Sequence, residues 1–530
     1  MKSFQFIKHP ILIMLLLIVT FSCDDELDKE PITEASASSV FDNPEAFKQF
    51  LAKIYTGISL SGQQGPAGDP DIAGIDEGFS NYLRQYWMHE ELTTEEAALS
   101  WQDGTVHDLN DHLWNSSNEF VRAMYDRIYF QISLTNQFLR DATEERAMAV
   151  GLSAADVRAF RAEARFMRAL SYWHALDMYG NIPFVTENDP VGSFFPEQKD
   201  RAFIFDFLVT ELTEIQNELV AARQNQYGRA DQAAAQMLLA KIYLNAEVYI
   251  GQPRYTEVIT ELNKIFSAGY TLHGNYEELF LADNNSNGAQ NEVIFPIPFD
   301  GLNTQGFGGT TFIIKAPVGG RMDPAAFGIS GGWAGVRTSK QFVANFSDIT
   351  GATDQRAMFF TDGQTLEVTN KFDFSSGYAI GKFKNVTSTG VPGSDASGEF
   401  MDTDFPMFRL ADAYLMYAEA VLRGGSGGSV STALDFVNQI RTRAYGDQSG
   451  NITSGELTLD FILAERAREL HFEAHRRTDL VRFNRFTQNS VWPWKGGTFE
   501  GTPSQPFRNL YPIPSTDIIA NPNLVQNPGY

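Results

Sequence analysis

The chain has 530 residues, 43% of them hydrophobic and 13% aromatic, with a formal net charge of −25. This composition supports a large buried core, and the acidity argues against a nucleic-acid binder, which needs a basic face. The single cysteine, Cys23, excludes an internal disulfide and a cysteine-based zinc or iron–sulfur cluster within one chain.

Lys2 and Lys8 precede an almost entirely apolar run, Ile11 to Ser22, "ILIMLLLIVTFS". This is the pattern of a secretory signal. As a helix the run rises only about 18 Å, too short to span a hydrocarbon core about 30 Å thick. Thr20-Phe21-Ser22-Cys23 resembles the lipobox of bacterial lipoproteins, although Leu is the commoner residue at the position of Thr20. The resemblance implies a signal peptide over 1–22 and lipidation (palmitate among the acyl groups) at Cys23. The run Asp24-Asp25-Glu26 resembles the surface-export signal of some outer-membrane lipoproteins. Residues 23–43 read as a polar tether.

Helical periodicity follows. In "FRAEARFMRALSYWHALDMY" (160–179), Phe166, Leu170, Trp173, Leu176 and Tyr179 recur at steps of three and four. "RADQAAAQMLLAKIYLNAEVY" (229–249) and "LADAYLMYAEAVL" (410–422) show the same stripe. Each buries one face, and the alanines allow close helix approach. Small and aromatic residues at this spacing resemble tetratricopeptide-type hairpins, although a strict 34-residue repeat is absent; unrelated helices of an ordinary α domain would look similar. Gly180-Asn181-Ile182-Pro183 ends one helix, and the Gly-rich 424–428 loop precedes another near 431–444. From 283 to 405 the periodicity gives way to Gly, Asn, Ser, Thr and Asp with short β-like runs such as "EVIFPIPF" and "YAIGKFKNV". Long loops within a compact chain are usually functional.

The enzyme-like strings are weak. His471-Phe472-Glu473-Ala474-His475 would place two histidines on one helix face, but Glu473 is misplaced for a metalloprotease, and the surrounding charges read as an ion-paired helix. "AIGK" lacks the upstream glycine of a phosphate loop, and no GxSxG string occurs. No cofactor, metal site or catalytic set is expected; paired carboxylates for glycoside hydrolysis are the alternative to a solvated or sugar-binding set of acids. Loop aromatics are more informative. Sugar rings stack on aromatic planes while their hydroxyls need donors and acceptors. Trp333, flanked by glycines in "GISGGWAGVR", and Trp101, Tyr378, Asp69, Asp71, Arg337 and Lys382 are the right types for a glycan site, each with loop or core packing as the alternative.

These strings together resemble the SusD/RagB family of outer-membrane nutrient-binding lipoproteins. The resemblance rests on the 160–187 helix with its Gly-Asn-Ile-Pro turn, "FRLADAYLMYAEAVLR", "ILAERARELHFEAHRRTDLVRFNRF" and the closing "LYPIPSTDIIANPNLVQNPGY". It implies a mainly α fold of tetratricopeptide-like hairpins with a loop-rich ligand-binding face and short β segments. It divides the mature chain into a helical region at 44–282, a loop-rich region at 283–405 and a C-terminal helical region at 406–530. It also implies a lipid-anchored protein on the outer face of the outer membrane, a lid over a TonB-dependent SusC-like transporter. An oligosaccharide would be bound without cleavage, β-glucan or fructan being the guess from loop style. A surface glycoside hydrolase and a peptide-binding lid are the alternatives.

Overall fold

Capping and apolar spacing determine where the helices lie in the computed structural model, which describes residues 41–530. The expected signal peptide, Cys23 and most of the tether lie outside the described residues. Asn43 opens α1 (Pro44–Ser59): its side chain accepts the Ala46 N–H at 3.0 Å, and Pro44 takes the first turn. Phe47, Leu51, Ile54 and Ile58 form the buried stripe of α1. Asn81 caps α2 (Tyr82–Glu91), Asn118 caps α3 (Glu119–Asp141) and Ser153 caps α4 (Ala154–Tyr179). Gly180 ends α4 at φ +76°, and a side chain there would press on Leu510.

Then come α5 (Arg201–Ile215), α6 (Gln232–Leu244), α7 (Tyr255–Phe266), α8 (Gly309–Lys315), α9 (Leu410–Leu422), α10 (Val430–Tyr445), α11 (Leu459–Leu470) and α12 (Arg476–Arg482). The largest helix interfaces join α3 with α4, α4 with α5, α6 with α7 and α9 with α10, so the chain is mainly α and built from packed helical neighbours. Buried Ala233, Ala234 and Ala235 let α6 lie close to its neighbours.

The strands are short, antiparallel and paired in twos among the described residues. Val293–Ile297 pairs with Phe405–Arg409, so the loop-rich region leaves and re-enters the helical body through one strand pair. Ala98–Leu99 pairs with Val336–Arg337, tying the N-terminal part to the loops.

The His471–His475 string departs from expectation. α11 stops at Leu470, and Phe472 and Ala474 take left-handed φ of 62° and 61°. The histidines therefore do not share a helix face. Burial, then Lys382, holds His471 well below the ordinary histidine range; burial, then Lys241, takes His475 down to about 3. The charges around them form a buried network. Arg409 contacts Glu469 and Glu473 at 2.6 Å each, and Arg356 contacts Glu465 at 2.7 Å. Burial alone would raise Glu469, but Arg443, Arg409 and Arg356 together hold it at about 2.

Candidate functional site: an aromatic wall over a buried arginine

The strand pair 98–99/336–337 brings two distant tryptophans together. Beyond it, the Ser100 N–H donates to Gly335 O at 2.8 Å and the Ser100 hydroxyl to Ala334 O at 2.7 Å. The Trp101 Nε1–H then donates to Trp333 O at 2.9 Å. The other side of the 332–336 segment rests on the end of α8. Trp333 N–H donates to Lys315 O, and the Gly335 and Val336 N–H groups both donate to Ala316 O. A helix end leaves carbonyls without intrahelical partners, and here the Trp333 loop supplies the donors. Gly335 is required by space: a Cβ there would lie 2.3 Å from the Trp101 indole.

The rings continue from this pair. Trp101 and Trp333 have centroids 6.0 Å apart and planes inclined at 56°. Trp333 and Phe307 are 6.3 Å apart at 55°, and Phe307 and Phe400 are 5.7 Å apart at 42°. All four side chains are half-buried. Successive inclination keeps the rings from covering one another's faces, so the set forms a turning aromatic wall rather than a closed stack.

Arg84, from the first turn of α2, lies against this wall. Its guanidinium carbon is 3.8 Å from the Phe79 ring centroid, 4.5 Å from that of Phe312 and 5.8 Å from that of Trp101. Its Nη1 donates to Phe307 O at 3.1 Å, while its buried Nε has no partner. No carboxylate lies within ion-pair distance of Arg84 among the described residues, although Asp76, Asp103 and Glu77 bear on it from farther away. Burial lowers this guanidinium to about 10 against those acids. Planar donors beside aromatic faces suit a ligand with apolar ring faces and hydroxyl edges. Lys315 supports the other flank: its Nζ is 2.6 Å from Glu399 and 5.8 Å from the Trp333 ring centroid.

The expected site residues separate into groups. Trp101 and Trp333 meet directly. Asp71 lies in a neighbouring depression, 3.2 Å from Lys53 and 4.0 Å from Arg127, and Asp69 is exposed on the loop before it. Tyr378 is half-buried and pairs through its backbone with Thr338, with Thr338 N–H donating to its carbonyl at 2.7 Å. Arg337 and Lys382 need correction. Arg337 is fully buried and donates to the carbonyls of Ser376, Asn370 and Lys371, where its charge serves as loop scaffolding. Lys382 is also buried, with its ammonium on His471 O and on Glu473 at 2.7 Å. Neither side chain reaches a ligand surface.

Sequence reading missed Arg84, Phe307, Phe400 and Lys315. Phe307, in "TQGFGGT", carries the same glycine-flanked signal that singled out Trp333. Arg84 carried none, because "NYLRQYW" reads as an ordinary helix start.

Sequence models match two parts of the chain: that of the SusD family over residues 343–530, and one described as "Starch-binding associating with outer membrane" over residues 73–244. The starch-binding protein SusD of Bacteroides thetaiotaomicron is 34% identical, over 96% of each chain. Among solved structures, a SusD superfamily protein from Parabacteroides distasonis superposes with TM-score 0.70 at 23% identity, covering 92% of this chain and 99% of that one. Surface glycan-binding protein A from Bacteroides thetaiotaomicron, in complex with laminarihexaose, superposes with TM-score 0.68 at 19% identity, covering 91% and 99%. Full-length similarity to the starch-binding protein, together with the shared fold, shows that the chain belongs to the SusD family.

Proposed function

We propose that the protein is a cell-surface glycan-binding lipoprotein that holds a glucan chain against the Trp101–Trp333–Phe307 wall without cleaving it. The observation that carries this reading is Arg84, a buried cation with no carboxylate partner within ion-pair distance, lying beside aromatic faces held by backbone hydrogen bonds. A glucose ring offers an apolar face to the wall and hydroxyls to Arg84, and stacking tolerates repetition along a polymer. The 34% identical relative is named for starch binding, which favours an α-glucan over the β-glucan or fructan expected from loop style. The laminarihexaose complex belongs to a neighbour at 19% identity, whose likeness supports the fold.

In this reading Cys23 carries the lipid anchor in the outer membrane. The captured oligosaccharide passes to a TonB-dependent SusC-like transporter, with domain-scale opening on the μs–ms or slower timescale. The outer-membrane description of the matching sequence model supports that location.

Isothermal titration with maltoheptaose and laminarihexaose tests the proposal. Binding of maltoheptaose without release of smaller sugars supports it. Preference for laminarihexaose would replace the α-glucan assignment, and turnover of either would replace binding with hydrolysis.

A further inference from the structure

We infer that the glycan site continues past Phe307 into a second, half-open subsite that grips a distant part of the same glucan chain. The inference rests on the glucan-binding reading. A cavity of about 410 Å³ lies between the face of α1 bearing Ala52 and Tyr55, the turn at 226–229, and the strand end Pro296–Pro298. This is within the size of small-ligand pockets, and its wall is mostly apolar, with amides and hydroxyls and the charged Glu45, Lys48 and Arg229 also lining it.

The walls are fixed from behind. Tyr227 is 39% exposed, yet its hydroxyl donates at 2.8 Å to the buried carboxylate of Asp404, which also accepts the Phe299 N–H at 2.7 Å. Tyr55 donates at 2.7 Å to Glu163 and accepts the Ala230 N–H at 2.9 Å. Glu163 in turn holds Arg229, with the Arg229 Nε 2.9 Å from its carboxylate. Gly228, at φ +84°, lets the turn close on Pro298: a Cβ there would lie 2.5 Å from the proline ring. Both phenols therefore have anchored hydroxyls and preset rings. An aromatic side chain that is partly exposed while its polar end is satisfied inside the protein has only its ring left to offer.

Continuity with the aromatic wall identifies the occupant. Thr304 borders the cavity and Phe307 belongs to the wall, so the two are at most about 11 Å apart along the chain. A polar depression of about 200 Å³, lined in part by Lys53, Asp71, Asn303 and Gln305, borders the same 302–305 turn that leads to Phe307. It shares Thr56 with the larger cavity. The Glu77 carboxylate, beside the 302–306 turn, accepts the Phe307 N–H at 3.1 Å. The sequence of surfaces is thus aromatic wall, polar step, aromatic cavity. An extended oligosaccharide matches it, with ring faces at both ends and hydroxyls over the carboxylate, ammonium and amides between. Asp71 thereby has a place in the ligand path, although it does not touch the tryptophans.

The test uses maltotriose, which the wall alone accommodates, and maltoheptaose, which spans both surfaces. Two cavity variants are compared with wild type by titration calorimetry: Tyr227→Ala, which removes the ring, and Ala52→Trp, which fills the cavity from an exposed position on α1 and leaves both phenol anchors in place. Both are expected to weaken maltoheptaose about tenfold and to leave maltotriose unchanged. Wild-type affinity of both variants for maltoheptaose would overturn the inference while leaving the wall reading intact. Trp333→Ala is the separate control: if it leaves both ligands unaffected, the wall reading fails instead.

Discussion

Gly335→Ala should disarm the aromatic wall with little damage to the fold. The added Cβ would lie 2.3 Å and 2.5 Å from two carbons of the Trp101 indole, whereas carbon contacts settle near 3.5–4.0 Å. The backbone cannot retreat, because the Gly335 N–H is held by Ala316 O at 2.7 Å and its carbonyl accepts from Ser100 N–H at 2.8 Å. The indole must therefore move by about 1 Å or more and release its hydrogen bond to Trp333 O, a net loss of about 0.5–1.5 kcal/mol. A displaced ring forfeits its contact with a sugar, of similar size to an aromatic pair at about 0.5–1.5 kcal/mol. Re-seating the ring on binding adds to the loss, so maltoheptaose should bind about tenfold more weakly, equivalent to about 1.4 kcal/mol. Overpacking at one site costs roughly 1–3 kcal/mol of stability, a few degrees or less in melting temperature for a chain of this size. Titration calorimetry with a parallel melt reads both quantities. Affinity within twofold of wild type would refute the argument that Gly335 positions Trp101 for ligand.

Arg84→Met should cost about 1.5–3 kcal/mol of maltoheptaose binding, the range for hydrogen bonds to a charged group, while the melting temperature holds or rises because a buried cation without an ion-pair partner is removed. A lower melting temperature with unchanged affinity would contradict that assignment. Lys382→Met should do the reverse, destabilising the protein by about 3 kcal/mol through loss of the Glu473 contact while folded protein keeps its glucan affinity; weakened binding by folded protein would return Lys382 to the site. Glu469 and Asp479 both sit at about 2 in the fold, below the ordinary values of about 4.3 and 3.9. Their stabilisation is complete above those ordinary values and is lost as pH falls toward 2, so the melting temperature should drop steeply between about pH 4.5 and 2. A flat calorimetric profile over that window would contradict the buried network.

The helices were legible from the three-and-four recurrence of their apolar residues, but the expected one-face burial was too narrow: every residue from 166 to 179 of α4 is buried, as is nearly all of α9, because neighbours pack on more than one side. The 410–422 stripe matches α9 in the structure, and the 160–179 stripe lies within α4. The His471–His475 turn was not legible. Its left-handed residues are Phe472 and Ala474, which lack the glycine signature. Their N–H groups are taken by Glu96 at 3.3 Å and Glu91 at 2.7 Å, carboxylates more than 370 positions away. The site was legible by residue type and incomplete in geometry. Glycine flanks singled out Trp333, but its meeting with Trp101, 232 residues away in the chain, depends on a strand pair between distant segments. Arg337 and Lys382 misled because a cation in a Gly-rich loop looks available. Their acceptors are mostly backbone carbonyls, which every sequence contains and no pattern reveals.

Diffraction from crystals of the protein grown with maltoheptaose tests the central claim most directly. The account predicts glucose rings in van der Waals contact with Trp101, Trp333 and Phe307, with a sugar hydroxyl within hydrogen-bond distance of Arg84. Ordered maltoheptaose bound elsewhere, with the wall and Arg84 free of sugar, would contradict it.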